Sequence, residues 1–343
     1  MNQGEIIILA DPLEDAGEEA QDAERRAFAM GSQQHGERLD RALAVFVPEL
    51  SRSYVQQLIE QGAVTIGGKA VTRSAHRVKA GDAGEIELRP TPQSQAFRAE
   101  PVPIDVVHED EHLLVVNKPA GLVVHPAAGN WSGTLLNGLL ARDPRAAALP
   151  RAGIVHRLDK DTSGLMVVAR TRAAMDALVR KIAAREVSRQ YLALAHRPWE
   201  GAATRIVDAP IGRDPRNRLR MAVVDGGKAA TTTFELIDNA VNGCFVRASL
   251  HTGRTHQIRV HMAHIGHPLI ADTLYGGADA AGISRQALHA WRLAFDHPVT
   301  GASLEFHARL PDDLAAALAE WGVRYNEFQS AMPASVPGTR RGT

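Results

Sequence analysis

The sequence predicts an α+β protein with a mixed, largely antiparallel central sheet and flanking helices, preceded by a small α/β domain. Apolar runs as long as a strand follow one another or are joined by hairpin turns. Patterns with helical spacing lie between only some of them. This differs from the regular strand–helix alternation of a doubly wound parallel sheet. A proline-rich segment at residues 91–103 predicts a linker between two regions. The length of 343 residues and the 45% hydrophobic content are typical of a soluble globular protein with two or three domains.

Composition narrows the function classes. Cys244 is the only cysteine, which excludes an internal disulfide and a cysteine-rich zinc site and fits a reducing cytoplasm. Neither a membrane helix nor a secretory signal is expected, because no apolar run reaches about 18 residues and the N-terminus has no basic segment. Residues 1–36 carry eight acidic residues against Arg25 and Arg26, so this predicted disordered tail has a net charge of −6 and the remainder +6. A mildly basic body suits a polyanionic partner, although an ordinary mixed surface has the same balance.

Residues 37–90 predict two short helices followed by a small sheet. Leu39, Leu43 and Phe46 have helical spacing, and Ser51 can cap a second helix. A Gly-Gly turn then joins two short strands, and basic residues concentrate after it: Lys69, Arg73, His76, Arg77 and Lys79. The order of these elements resembles the S4 RNA-binding domain. The resemblance implies that Lys69, Arg73 and Arg77 bind RNA; a solvated basic rim is the alternative.

Residues 104–326 carry the elements of the main domain, and a disordered tail is predicted for 327–343. Apolar runs predict strands at residues 113–116, 122–124, 165–169, 187–195, 231–237, 245–250 and 304–306. Capping residues and helical spacing predict helices after Thr134, Thr171, Thr255 and Pro311. The segment 205–228 is a basic, turn-rich excursion between strands.

Three polar segments stand out at the edges of apolar runs: 156–164, Arg189–Leu192 and 253–259. A polar loop held between buried segments can fix one reactive side chain rigidly, and Asp159 is the candidate. From this loop alone, an Asx-type turn with solvated charges is the commoner interpretation.

These segments together resemble the motifs of the RluA family of pseudouridine synthases. The matching residues are His156-Arg157-Leu158-Asp159, Arg189-Gln190-Tyr191, Gly253 to His261, Asn117-Lys118-Pro119, His125-Pro126 and Gly266 to Leu269 with Asp272 and Tyr275. The resemblance extends over residues 37–325. It implies the pseudouridine synthase fold and the isomerisation of specific uridines in RNA. The substrate it implies is 23S ribosomal RNA of the large subunit, in a hairpin loop with several target uridines.

The implied reaction breaks the bond from ribose C1′ to base N1 and joins C1′ to C5. It is an isomerisation, so no redox cofactor or ATP is expected. A carboxylate could attack C6, trap C1′ or remove a ribose proton, and the resemblance gives this role to Asp159. Asp161 is the competitor, and we interpret it as a loop-stabilising residue. The resemblance also assigns Arg254 as the cation that keeps Asp159 ionised.

The remaining site residues are expected to handle the flipped nucleotide. Arg157 would fill the space that the extracted base leaves in the stack. Tyr191 would stack on the uracil near C5, where a proton is lost. Ile258 would form an apolar floor, and His156 would contact the substrate.

Two other function classes compete. A non-catalytic RNA-binding ribosome-assembly factor would need none of Asp159, Tyr191 and Arg254. A metallohydrolase could use a cluster of histidines, namely His251, His256, His261, His264 and His267. However, no carboxylate lies within 251–267, and an open zinc site usually needs three well-placed ligands. We therefore expect no metal or cofactor, a ribosomal RNA partner, no membrane association, and a monomer in the cytoplasm.

Overall fold

The computed structural model describes residues 24–88, 96–127, 129–217 and 220–325. The chain divides between Ser94 and Gln95 into two compact units. Each has its own apolar core.

The first unit is a four-stranded antiparallel sheet packed on two helices. Its elements are β1 (Glu24–Ala29), α1 (Leu39–Leu43), α2 (Arg52–Glu60), β2 (Val64–Ile66), β3 (Lys69–Ala70) and β4 (Ala83–Leu88). The strand order is β1-β4-β2-β3. The Ser51 hydroxyl accepts a hydrogen bond from the Tyr54 backbone N–H, which confirms the predicted cap of α2. Leu39 and Leu58 from the two helices are fully buried with Ile86 from the sheet.

Residues 24–36 do not belong to the disordered tail that the sequence predicted for 1–36. Strand β1 pairs with β4 along its whole length, from Glu24 opposite Leu88 to Ala29 opposite Ala83. Phe28 is buried in the core. The strand sequence ERRAFA contains a single large apolar side chain, so its composition alone does not predict a strand. The rest of the predicted tail, residues 1–23, lies outside the described residues.

The second unit is built on a nine-stranded sheet with helices on both faces. Its elements in chain order are β5 (Val106–Glu109), β6 (Leu113–Lys118), α3 (Leu135–Arg142), β7 (Ser163–Ala169), α4 (Arg172–Ala183), β8 (Ser188–His196), β9 (Thr204–Asp208), β10 (Ile211–Arg213), β11 (Met221–Val223), β12 (Thr231–Ala240), β13 (Gly243–Leu250), α5 (Gln257–His264), β14 (Leu288–Asp296), β15 (Ser303–His307) and α6 (Asp312–Glu320). The sheet runs β5-β6-β7-β14-β8-β13-β12-β9, with β15 paired to β14, while β10 and β11 form a separate hairpin. Among the described strand pairs, only β7–β14 is parallel. The predicted mixed, largely antiparallel α+β fold is therefore confirmed.

Alternating side chains of the sheet reach two different cores. Val116 and Met166 point to the face that α3 and α5 cover, where they pack with Leu136 and Ile258. The residues next to them in sequence point to the other face, where Leu165 packs with α4. Within the described ranges, no helix is long and apolar enough to cross a membrane. Burying both faces fixes the strand register, which in turn fixes the loops at the strand ends.

Two sequence predictions near the start of this unit are wrong. Leu122–Val124 is not a strand: the carbonyls of Val123 and Val124 accept hydrogen bonds from the first turn of α3 instead of from a neighbouring strand. The described part of the predicted linker is also not an exposed connection between the two units. Ala96 is buried, and the Asn137 side chain donates to the carbonyls of Ala96 and Arg98. Residues 96–103 therefore belong to the second unit.

Candidate active site

Three polar segments of the second unit meet around one cavity of about 390 Å³, which the end of α4 also lines. They are the loop 156–162 before β7, the beginning of β8, and the segment 250–259 that connects β13 to α5. Strand β14 lies between β7 and β8, with His289 opposite Ser163 and Ala290 opposite Tyr191. This pairing brings the loop and β8 together, although residues 156–162 and Tyr191 are about 30 positions apart. The described wall contains five arginines and a single carboxylate, Asp159, so the cavity favours an anionic ligand.

Asp159 is held by Arg259, which bridges it to a second carboxylate. The Arg259 Nη1 lies 3.1 Å from Asp159 Oδ2, and its Nε and Nη2 donate to the two oxygens of Asp272 at 2.7 and 2.8 Å. Burial alone would lower the pKa of Arg259, but Asp272 and then Asp159 raise it above its ordinary value. The guanidinium is therefore permanently charged, and it holds the Asp159 carboxyl group in place through this contact.

The prediction that Arg254 pairs with Asp159 is wrong. Arg254 is exposed, and its Nε donates to the carbonyl of Ala229 at 3.0 Å. The reason lies in the chain between Arg254 and Arg259. Helix α5 does not start at Thr255: His256 has a left-handed backbone, with φ of 56°, and the helix begins at Gln257. This turn directs Arg259, rather than Arg254, toward the carboxylate.

His256 completes the surroundings of Asp159. Its Nε2 lies 3.8 Å from Asp159 Oδ1, and its Nδ1 hydrogen-bonds to the Tyr275 hydroxyl at 2.8 Å. Burial lowers the pKa of His256, and Asp159 opposes that effect. The left-handed backbone is unfavourable for a histidine, so the contact with Tyr275 helps to hold it.

Side chains from outside the loop 156–162 fix its backbone. The buried Lys118 ammonium donates to three carbonyls, those of Pro119, Leu122 and Lys160, at 2.8 to 2.9 Å. Burial lowers its pKa to about 7, against the attraction of Asp161 and Asp159. Further along the loop, the Arg285 guanidinium donates to the Asp161 carbonyl at 3.0 Å. The loop is thus held by side chains that the sequence analysis did not treat as part of the site.

His156 anchors the beginning of the same loop. Its Nε2 accepts the backbone N–H of Val167 at 3.0 Å. Burial, followed by the charge of Arg189, lowers the pKa of His156 to about 3. The imidazole is therefore neutral and its Nδ1 carries the hydrogen; this Nδ1 is buried and has no partner among the described residues.

The cavity wall also contains the other predicted nucleotide-handling residues. Tyr191 and Ile258 are buried, while Arg157 is exposed. Burial raises the pKa of Tyr191, so its side chain is a neutral phenol near pH 7. Asp161, by contrast, does not line the described cavity wall.

The predicted RNA-binding residues of the first unit are solvent-exposed. Lys69 lies on β3, and Arg73 and Arg77 follow it along the chain. Arg77 donates to the Gly36 carbonyl at 2.8 Å. None of the three forms an ion pair with another residue in the described part of the chain, so their charges are available.

The histidines at 251–267 do not gather around a common point. His251 hydrogen-bonds to Thr233, and the buried His261 hydrogen-bonds to Thr232. His267 packs against Trp199 instead. Across the described ranges, no three histidine, cysteine or acidic side chains are placed to hold a metal ion.

Comparisons with known proteins agree with this fold. Residues 112–264 match the family model described as RNA pseudouridylate synthase, and residues 37–83 match the S4 domain. A solved structure, human RNA pseudouridylate synthase domain containing 1, superposes with a TM-score of 0.51 at 26% identity, covering 64% of this chain and 89% of that one.

Curated relatives named ribosomal large subunit pseudouridine synthase D extend the likeness over most of the chain. The relative from Neisseria meningitidis serogroup B is 47% identical, covering 81% of this chain and 77% of its own length. The one from Nitrosomonas europaea is 48% identical, covering 82% and 84%. The one from Xanthomonas campestris is 44% identical, covering 88% and 94%. The chain belongs to the RNA pseudouridylate synthase family and carries an S4 domain at its N-terminal side. It is an enzyme that isomerises uridine to pseudouridine in RNA.

Proposed function

We propose that this enzyme modifies uridines of large-subunit ribosomal RNA, with Asp159 as the reacting carboxylate. The ion pair between Asp159 and Arg259, inside a cavity whose described wall has no other carboxylate, is the observation that carries this assignment. The names of the relatives support a ribosomal RNA substrate.

In this proposal, the Asp159 carboxyl group lies beside the glycosidic bond of the flipped uridine. It can act on C6, on C1′ or on a ribose proton, and each route ends with N1 protonated, C1′ joined to C5 and the C5 proton lost. Tyr191 stacks on the uracil and, as a phenol, needs to lose its own proton before it can accept the one from C5. Arg157, exposed at the entrance, fills the space that the uridine vacates in the RNA.

The proposed setting is the cytoplasm, where ribosomal RNA is processed, with a single chain as the working unit. One chain supplies Asp159, Arg259 and Tyr191, so its cavity needs no residue from another copy. Lys69, Arg73 and Arg77 of the S4 domain bind RNA phosphates in this proposal.

Pseudouridine mapping tests the proposal, using ribosomal RNA from cells with and without the enzyme. Complementation with Asp159→Asn should leave the target uridines unmodified, with the single-turnover rate lowered at least about 10³-fold, as is usual when a reacting group is removed. The matched control is Asp161→Asn, two residues along the same loop, which should retain most activity. Equal activity in Asp159→Asn, or no change in ribosomal RNA when the gene is removed, would contradict the proposal.

A further inference from the structure

Arg189 is a buried cation in the cavity wall with no role in the proposed mechanism. It is the second residue of β8 and shares a face with Tyr191, two positions on. Only 9% of its surface is exposed. Among the described residues its side chain has neither a hydrogen-bond partner nor an ion pair, and its Nε is buried and unpaired. Arg259, in the same wall, has two carboxylate partners.

The Nε of this guanidinium is in an unfavourable environment, because it has been removed from water and has formed no hydrogen bond in exchange. Its position is nevertheless well accommodated. A Cβ atom at Gly253 would lie 3.0 Å from Arg189 Nη1, and the backbone of Gly253 is not left-handed. The glycine therefore provides space for the guanidinium rather than a special backbone conformation. In the free enzyme the Arg189 side chain is unpaired, and it can bind a group of the substrate.

A second unpaired donor lies in the same wall. The His156 Nδ1 hydrogen has no partner in the described structure, and the charge of Arg189 acts on this ring. Two unsatisfied donors beside an excess of arginines favour an anionic ligand with several acceptor oxygens. In RNA, that description fits a backbone phosphate. The carbonyl oxygens of uracil are neutral and would leave the buried charge uncompensated.

We propose that Arg189 binds a backbone phosphate next to the target nucleotide and thereby sets how deeply the uridine enters toward Asp159. The inference rests on the proposed function, since it takes RNA as the substrate of this cavity. A guanidinium fork matches two phosphate oxygens, and flipping a nucleotide about its backbone brings the neighbouring phosphates to the cavity.

The test combines Arg189→Gln with RNA in which one phosphate is made neutral. Synthetic RNA oligomers carrying the mapped uridine contain a methylphosphonate on its 5′ side, on its 3′ side or at a distant position. Affinity and single-turnover rates are measured for each pair of enzyme and RNA. Arg189→Gln should weaken binding about 10- to 100-fold, the range for hydrogen bonds to charged groups. One of the two flanking methylphosphonates should weaken wild-type binding similarly but have little further effect on Arg189→Gln.

Two further variants make the result specific. Arg189→Lys keeps the charge but removes the fork, so it should bind between wild type and Arg189→Gln. Arg180→Gln removes an exposed charge on α4, and Arg180 itself does not line the described cavity wall. Its effect on binding should be additive with that of every methylphosphonate. Arg189→Gln should melt no lower than wild type, because the free enzyme provides this guanidinium with no partner.

Additive effects at both flanking phosphates would overturn the proposal. So would an Arg189→Gln enzyme that binds normally but has a shifted pH profile for the rate, since Arg189 would then act through Tyr191. If wild type binds the oligomer without isomerising it, the proposed function is at fault, while the binding measurements still decide the role of Arg189.

Discussion

At Asp159, two arginines of one sequence motif have different positions. Arg259 touches Asp159 and Asp272, whereas Arg254 reaches only a backbone carbonyl. The motif alone does not distinguish them, because both are basic and both lie close to His256 along the chain. The left-handed conformation of His256 decides which of the two side chains reaches Asp159, and a non-glycine residue in that conformation is rarely foreseen from sequence.

Exchanging each arginine for glutamine should separate their roles. Arg259→Gln leaves Asp272 buried without its partner, so the free energy of unfolding should fall by about 3–5 kcal/mol. The single-turnover rate should fall at least about 100-fold, because Asp159 is then without the cation that orients it. Arg254→Gln should keep the wild-type melting temperature and rate, and change mainly RNA affinity. Thermal melting and single-turnover assays at saturating RNA measure both effects.

Arg259→Lys provides the control for charge alone: it should recover part of the stability but little of the rate, because an ammonium cannot bridge both carboxylates in the same geometry. A larger reduction of the rate in Arg254→Gln than in Arg259→Gln would show that the ion pair seen here is not the one that acts during turnover.

Several secondary-structure elements with clear local signals were predicted correctly, although the strand at 122–124 and the helix start at Thr255 were not. The apolar run of β7 and the cap of α4 by Thr171 are examples. The central strand β14 was missed: His289 and Arg292 interrupt its apolar residues, and the pattern has neither a two-residue nor a helical period. The position of the loop 156–162 depends on this missed strand, since the Ser163 hydroxyl at the start of β7 hydrogen-bonds to His289 at 2.9 Å. Contacts between distant segments of this kind do not leave a local pattern in the sequence.

The two histidines that hold the loop should make the second unit sensitive to acid. Burial lowers the pKa of His156 to about 3 and that of His289 to about 4, from an ordinary value of 6.5. Between these values the unfolded chain binds more protons than the folded one. The free energy of unfolding therefore has its full value above about pH 6.5. It falls as the pH drops toward 4, by up to about 1.4 kcal/mol per pH unit for each histidine.

Urea unfolding followed by tryptophan fluorescence can measure this dependence, because all four tryptophans lie in the second unit. His156→Gln retains an acceptor for the Val167 N–H without titrating, so its stability should fall less between pH 6.5 and 4 than that of wild type. His264→Gln, at an exposed position on α5, is the control and should follow the wild-type curve. An unchanged slope in His156→Gln would mean that this histidine does not couple the loop to pH.

At the scale of the whole molecule, the residues proposed for the chemistry and those proposed to bind RNA belong to different units. Asp159, Arg259 and Tyr191 lie in the second unit, and Lys69, Arg73 and Arg77 in the first. The predicted linker, residues 91–103, contains the division between Ser94 and Gln95, and its proline-rich composition is the local signal for a boundary. Its described part, 96–103, lies in the second unit, and no local signal shows this, since the hydrogen bonds from Asn137 to Ala96 and Arg98 come from a distant helix.

This division predicts that the second unit isomerises uridine without the first. A variant that begins at Gln95 keeps the segment bound by Asn137, whereas one that begins at Pro101 removes it and should be less stable. The longer variant should retain a similar single-turnover rate at saturating RNA, because every group beside Asp159 is still present. Its affinity should be weaker and less dependent on salt, with the slope of log K against log salt reduced by about 0.7–0.9 for each phosphate that the S4 domain no longer neutralises.

The triple variant Lys69→Gln, Arg73→Gln, Arg77→Gln in the full chain is the matched control, because it removes the charges and keeps the domain. If this control reproduces the weaker, less salt-dependent binding of the truncated enzyme, the first unit acts through its charges. If the truncated enzyme is folded and saturated with RNA but inactive, while the triple variant is active, then the S4 domain contributes to catalysis by something other than phosphate binding.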